Sequence, residues 1–207
     1  MLWYVLVLLL LWINTVVLPL NFSVFLLSVF VMATLLLAYF CRYQLKNTEC
    51  HGFYRFFAFV GIIWLLLQAL PWWHYKLISL RQCIALLFFS ISLGLLIASV
   101  KQLHMRGHAN KGERRDAREN FQFENTQVLV TSGIYQYIRH PMYSSLLFLS
   151  LGLLCKRPAI DGWLVVLFIM AMLYLTVRKE EQENKLFFGE QYDVYVSRSK
   201  LLIPSVW

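Results

Sequence analysis

Not one charged side chain occurs between Met1 and Phe40. A run of that length has no place at a protein surface in water, so the solvent of this chain is lipid. The totals agree. The 207 residues are 59% hydrophobic and 14% charged, where globular domains carry about 25% charged residues. No Arg or Lys precedes the first apolar run and no small-residue cleavage pattern follows it, so it is expected to be a retained membrane helix rather than a signal peptide.

Six apolar segments follow one another: Leu2–Leu18, Phe22–Phe40, Phe53–Leu70, Gln82–Val100, Met142–Leu154 and Trp163–Val177. About 20 apolar residues cross a bilayer core of ~30 Å. The first four segments meet that length, and Pro19-Leu20-Asn21 predicts a tight hairpin between the first two. The last two reach only roughly 20 Å each at 1.5 Å per residue. They must borrow flanking residues, tilt, or form a shorter hairpin turning at Lys156-Arg157-Pro158 and Asp161-Gly162. The expected fold class is all-α: a polytopic membrane protein of about six transmembrane helices with a C-terminal helical hairpin.

Charge placement orients it. With six spans, the loops at 41–52 and 101–141 and the tail from 178 share one side, which holds fourteen of the Lys and Arg residues against four on the other. Both termini are therefore expected in the cytoplasm. Trp72, Trp73 and Tyr75 suit an aromatic belt on the far side, and Arg55 is expected to snorkel to the cytoplasmic boundary. Two regions result, a four-helix part over 1–100 and a loop, hairpin and tail over 101–207. Neither polar piece is large enough for a soluble domain. Any chemistry must be assembled from the cytoplasmic helix ends together with these pieces.

The stretch Leu129–Tyr143, LVTSGIYQYIRHPMY, joins a polar loop to an apolar run. Proline keeps the residue before it out of the helical region and itself suits the first helical position. His140 should therefore sit just outside a helix that Pro141 begins. A helix start offers free N–H groups and partial positive charge, a seat for a carboxylate or phosphate. The tail opens with Arg178-Lys179-Glu180-Glu181, followed by Phe187-Phe188-Gly189 and Tyr192. These glutamates are either a solvated helix end or a partner for a cation held beside the His140-Pro141 turn. A zwitterionic ligand would satisfy both halves.

Other signals are weaker. His104 and His108 have i,i+4 spacing but lack a third ligand nearby, so no metal is expected. His51 and His74 read as loop histidines. Cys41, Cys50, Cys83 and Cys155 fall in no metal spacing and read as isolated thiols, with Cys41 at a helix end open to acylation. The basic run Lys101–Arg118 reads as charge touching anionic lipid rather than a nucleic-acid site. No GxGxxG, P-loop, GxSxG or HExxH is present.

Two blocks resemble the isoprenylcysteine carboxyl methyltransferase family and its relatives, among them phospholipid methyltransferases. The first is Leu129-Val130-Thr131-Ser132-Gly133, Tyr135, Arg139-His140-Pro141 and Tyr143. The second is Glu180-Glu181, Phe187-Phe188-Gly189-Glu190, Tyr192, Tyr195 and Pro204. The resemblance implies S-adenosyl-L-methionine in a cytoplasmic pocket under the hairpin. Its contacts would be Gln127, Val128, Leu129, Val130, Tyr135, His140, Pro141, Met142, Tyr143, Glu180 and Glu181, with Arg139, His140 and Arg178 as the catalytic candidates. It also implies a lipophilic or lipidated methyl acceptor entering from the bilayer, an isoprenylcysteine carboxylate for example. Such a transfer needs alignment and exclusion of water more than acid–base help.

The chain departs from that pattern at three places. Gln127 stands where the family usually has His, Ser145 where it has a glycine, and Thr176 where an Arg holds the acceptor's carboxylate. Either Arg178 substitutes from a shifted helix face, or the acceptor has no carboxylate to hold. Two alternative activities share the RHPxY-like turn: an NADPH-dependent sterol or steroid reductase, and phospholipid N-methylation.

Overall fold

The computed structural model describes residues 22–74, 78–107 and 126–203. The first expected span, the Pro19 turn, Tyr75, His108 and Pro204 lie outside the described residues.

There are six α-helices among the described residues: α1 (Phe22–Phe40), α2 (His51–Ala69), α3 (Leu80–Arg106), α4 (Pro141–Lys156), α5 (Ile160–Phe188) and α6 (Glu190–Arg198). Among the described residues there is no strand, only a parallel bridge between Ile138 and Lys200. The fold is all-α. Three stretches among the described residues are long and apolar enough to cross a bilayer, His51–Trp72, Leu80–Arg106 and Ile160–Phe188; Val24–Phe40 and Pro141–Lys156 are shorter apolar helices. Leu35, Leu86, Leu93, Leu164 and Leu167 stand exposed on these helices, the face such a protein turns to lipid.

Each long helix buries one stripe. On α2 it runs through His51, Arg55, Ala58, Ile62, Leu65 and Ala69; the alternating spacing of three and four keeps one helix face inward. Arg55 therefore does not snorkel: it is 2% exposed, because its position falls on the inward stripe. On α5 the stripe is Gly162, Val166, Ile169, Leu173 and Val177. These two faces meet Tyr143, Leu147, Leu153 and Leu154 of α4 in the core, while α3 packs along the far side of α4. Gly61 lets α2 and α5 close up, since a Cβ there would lie 2.7 Å from Cγ1 of Ile169. Apolar packing of this kind buries about 25 cal/mol per Å² when water is the reference. In lipid the shape fit itself carries the association.

The short last segments resolve differently from one another. The sequence ends the final apolar run at Val177, but the helix continues through the charged residues to Phe188, 29 residues in all. Its exit turns are thus helical and carry Glu180, Glu181 and Glu183 beyond the apolar run. α4 stays at 16 residues, about 24 Å at 1.5 Å per residue. Its far end is plugged: Lys156, counted above among loop charges, is 9% exposed. Its ammonium donates to Oε1 of Gln82 at 2.5 Å and lies 4.8 Å from the Trp73 ring. Trp73 in turn stacks on Phe89. Cys41 is 1% exposed, which closes it to acylation.

Candidate functional site

α2 and α4 begin, and α3 and α5 end, at one end of the bundle, where a cleft opens with about 720 Å³ of empty space out to its mouth. The turn before α4 forms its floor. His140 takes φ −123°, ψ 59° and Pro141 starts the helix, as proline's geometry dictates. His140 gives no side-chain cap, and Pro141 and Met142 line the cleft, so the start of α4 borders it.

An unexpected device fixes that turn. The C-terminal segment runs alongside it: Arg139 N–H donates to the Lys200 carbonyl at 2.8 Å, Lys200 N–H to Tyr137 at 3.0 Å and His140 N–H to Leu201 at 3.2 Å. The Ser144 hydroxyl adds a bond to the Leu202 carbonyl at 2.5 Å. Arg139 reaches the same segment through the Ser199 carbonyl. Gly189, at φ +59°, ψ −135°, ends α5 and reverses the chain into α6. That step brings Tyr192 and Tyr195 back over the cleft, where the Tyr195 hydroxyl donates to the Tyr135 carbonyl at 2.6 Å. Burial and the carboxylates of Glu181 and Glu180 push the Tyr192 phenol above its ordinary value of 10.0. Burial does the same to Tyr195. Both walls are neutral phenols.

α5 supplies the acid. A residue turns the helix by about 100°, so the stripe Leu173–Val177 continues with Glu180 and Asn184, both lining the cleft. Tyr143 donates to Glu180 Oε2 at 2.5 Å. The other oxygen, Oε1, is 3.7 Å from Nδ1 of His140, too far for a hydrogen bond. His140 is 4% exposed; its Nε2, 3.8 Å from Oε1 of Glu181, has no hydrogen-bond partner among the described residues. A buried donor or acceptor left unmade costs about 1–3 kcal/mol. The Glu180 carboxylate and the His140 imidazole, near one another but not hydrogen-bonded, therefore line one space at a helix start, and a ligand bearing both charges fits them.

Of the residues singled out in the sequence, Leu129, Val130, Tyr135, Arg139, His140, Pro141, Met142, Tyr143 and Glu180 line this cleft. Gln127 and Val128 do not: their backbone N–H groups bond the Gly107 carbonyl, and Val128 points outward. Glu181, one residue round the helix, turns to Arg139 Nε at 2.7 Å. Arg178 lies two residues before Glu180, about 200° away, and is exposed on the opposite face. Thr176 is on the Glu180 face but fully buried, its hydroxyl donating to the Met172 carbonyl at 2.7 Å.

The sequence reading missed His51, Leu103, Thr126 and Asn184. His51 is no loop histidine. It opens α2, and Glu183 accepts its backbone N–H at 3.0 Å and contacts Nδ1 at 2.5 Å. The N-terminal half of the chain thus contributes a wall. The signal was present as Glu183 one turn beyond Glu180, but nothing in the sequence pairs it with a residue 132 positions earlier.

Residues 80–191, more than half the chain, match the family described as phospholipid methyltransferase. The chain belongs to that family. The match runs from α3 into α6, so it covers the RHPMY turn, the hairpin and Glu180. Among curated relatives, protein-S-isoprenylcysteine O-methyltransferase B of Arabidopsis thaliana is 36% identical over 86 residues, 40% of this chain and 43% of that protein. The Mus musculus protein-S-isoprenylcysteine O-methyltransferase is 37% identical over 87 residues, 40% of this chain and 29% of its own length. The Xenopus laevis protein of the same name is 32% identical over a similar share. The matched stretch thus spans less than half of each of these relatives. No solved structure matches the chain at comparable significance.

Proposed function

We propose that this membrane protein is a methyltransferase that holds S-adenosylmethionine in the cleft and methylates a lipophilic acceptor reaching it from the bilayer. One observation supports the reading: Glu180, with Oε1 3.7 Å from Nδ1 of His140, and the proline-started first turn of α4 line the same cleft. An amino-acid moiety offers the ammonium and carboxylate that these groups lack.

When bound, S-adenosylmethionine supplies a methyl group on a positively charged sulfur. Glu180 would take the ammonium, and Tyr143 fixes that carboxylate by its own hydrogen bond. The first turn of α4 and His140 would take the carboxylate. Leu103, Leu129 and Val130 offer apolar surface to the rest of the molecule. Arg139 holds the floor in place by bonding Glu181 and the Ser199 carbonyl. The acceptor aligns against this fixed frame, and tyrosine and apolar walls keep water out.

The relatives named for isoprenylcysteine O-methylation support a lipidated acceptor. Thr176, buried on the Glu180 face, supplies no cation for a carboxylate there, so the acceptor's polar end is neutral or is held elsewhere. The excess of Lys and Arg on this end of the bundle supports a cytoplasmic cleft.

Isothermal titration on detergent-purified protein tests the proposal. S-adenosylhomocysteine is expected to bind and NADPH is not. Binding of NADPH alone would turn the reading to a reductase.

A further inference from the structure

A second hollow, with about 770 Å³ of empty space, opens on the other side of Arg139. It comes from a different stripe of α5. Tyr174, Arg178 and Glu181 stand at i, i+4 and i+7, which places them on one helix face. Lys200 and Leu201 close the other wall. Their positions are fixed by the carbonyl groups that accept from Arg139 and His140.

The charges do not cancel. Glu181 is engaged by Arg139 at 2.7 Å. Arg178 and Lys200 are both exposed, and neither has an ion-pair partner among the described residues. Depth matters as well. Val177 is the last residue of the apolar run of α5 and Arg178 its first charge, so the hollow straddles the level where bilayer core gives way to headgroups. Tyr174, 38% exposed one turn deeper, suits that boundary.

We propose that this hollow seats the phosphate of an anionic membrane phospholipid. Arg178 offers a planar fork for two phosphate oxygens and Lys200 a second cation. Tyr174 and Leu201 provide apolar surface for the glycerol and the first chain carbons. A phosphate from solution would use the two cations only; the apolar wall at bilayer depth favours the lipid. The site goes beyond methyl transfer and does not depend on it.

Full-length protein in detergent, titrated with short-chain phosphatidylglycerol and separately with inorganic phosphate, tests this. A Lys or Arg at an anionic surface is worth about fivefold in affinity. Arg178→Gln and Lys200→Gln should each weaken lipid binding about fivefold, and together roughly 25-fold. Arg178→Lys, which keeps the charge and loses the fork, should weaken lipid binding less than Arg178→Gln does. Tyr174→Ala should weaken the lipid and leave inorganic phosphate unaltered. Lys185→Gln, whose ammonium already pairs with Asp193 at 2.9 Å, should change nothing. The proposal falls if Lys185→Gln costs as much as the other two, if the double variant binds lipid like wild type, or if inorganic phosphate binds as tightly as the lipid. S-adenosylhomocysteine affinity, measured on the same samples, reads the cleft separately.

Discussion

Replacing Glu180 by glutamine tests the grip on the cofactor at its acidic end. Glutamine keeps the shape and can still accept the Tyr143 hydroxyl, so the change removes a charge and little else. The Glu180 side chain is 25% exposed, between bulk water and a dry interior. Opposite charges about 4 Å apart interact by ~1 kcal/mol in water and ~4 kcal/mol at an effective dielectric of 20. Taking about 2 kcal/mol, the variant should bind S-adenosylhomocysteine about thirtyfold more weakly. 5′-Methylthioadenosine, which lacks the amino-acid moiety, supplies the control. Its affinity should be the same in both proteins. Titration calorimetry of the two ligands against the two proteins gives all four numbers. Equal losses for both ligands would mean that the substitution deforms the cleft, and no loss for either would mean that the ammonium sits elsewhere; each result refutes the assignment.

Further outcomes follow from the packing. His51→Ala breaks the contact with Glu183, and at about 1–3 kcal/mol for a hydrogen bond to a charged group should lower the melting temperature by roughly 2–10 °C in detergent. Gly61→Val places atoms where Ile169 already lies and should destabilise by about 1–3 kcal/mol, read from the same melts. Gly189→Ala forces a side chain into a backbone region that glycine tolerates, at a cost of about 1–3 kcal/mol, and should loosen α6 enough to weaken S-adenosylhomocysteine binding. The Tyr192 phenol is held above its ordinary value of 10.0, so it stays protonated in the folded chain while the unfolded chain ionises. Stability should hold below pH ~10 and fall above it, and Tyr192→Phe should fall less steeply across that window.

Much of this was legible in the sequence because it rests on local rules. Proline set the start of α4 and the extended residue before it. The run Phe22–Phe40 is bounded by its own apolar composition and matches α1 residue for residue. The spacing of Val177, Glu180 and Asn184 continues the buried stripe of α5, which is why Glu180 reaches the cleft. The same spacing was available for Arg178, whose offset of two from Glu180 turns it away; adjacency in the sequence hid an opposition on the helix. What could not be read are the pairings across long separations. His51 with Glu183 and the C-terminal segment against the Arg139 turn depend on helices packing first, and no local pattern encodes them. Arg55 went astray for a related reason. Its charge argued for the boundary, whereas its register on α2 put it inside.

The most direct measurement is transfer itself. Purified protein in lipid nanodiscs, given S-adenosylmethionine labelled in its methyl group and a membrane lipid extract, should move label into the organic phase. At subsaturating cofactor, Glu180→Gln should move far less. Label confined to the aqueous phase with wild-type protein, while NADPH is consumed in a parallel reaction, would contradict the account.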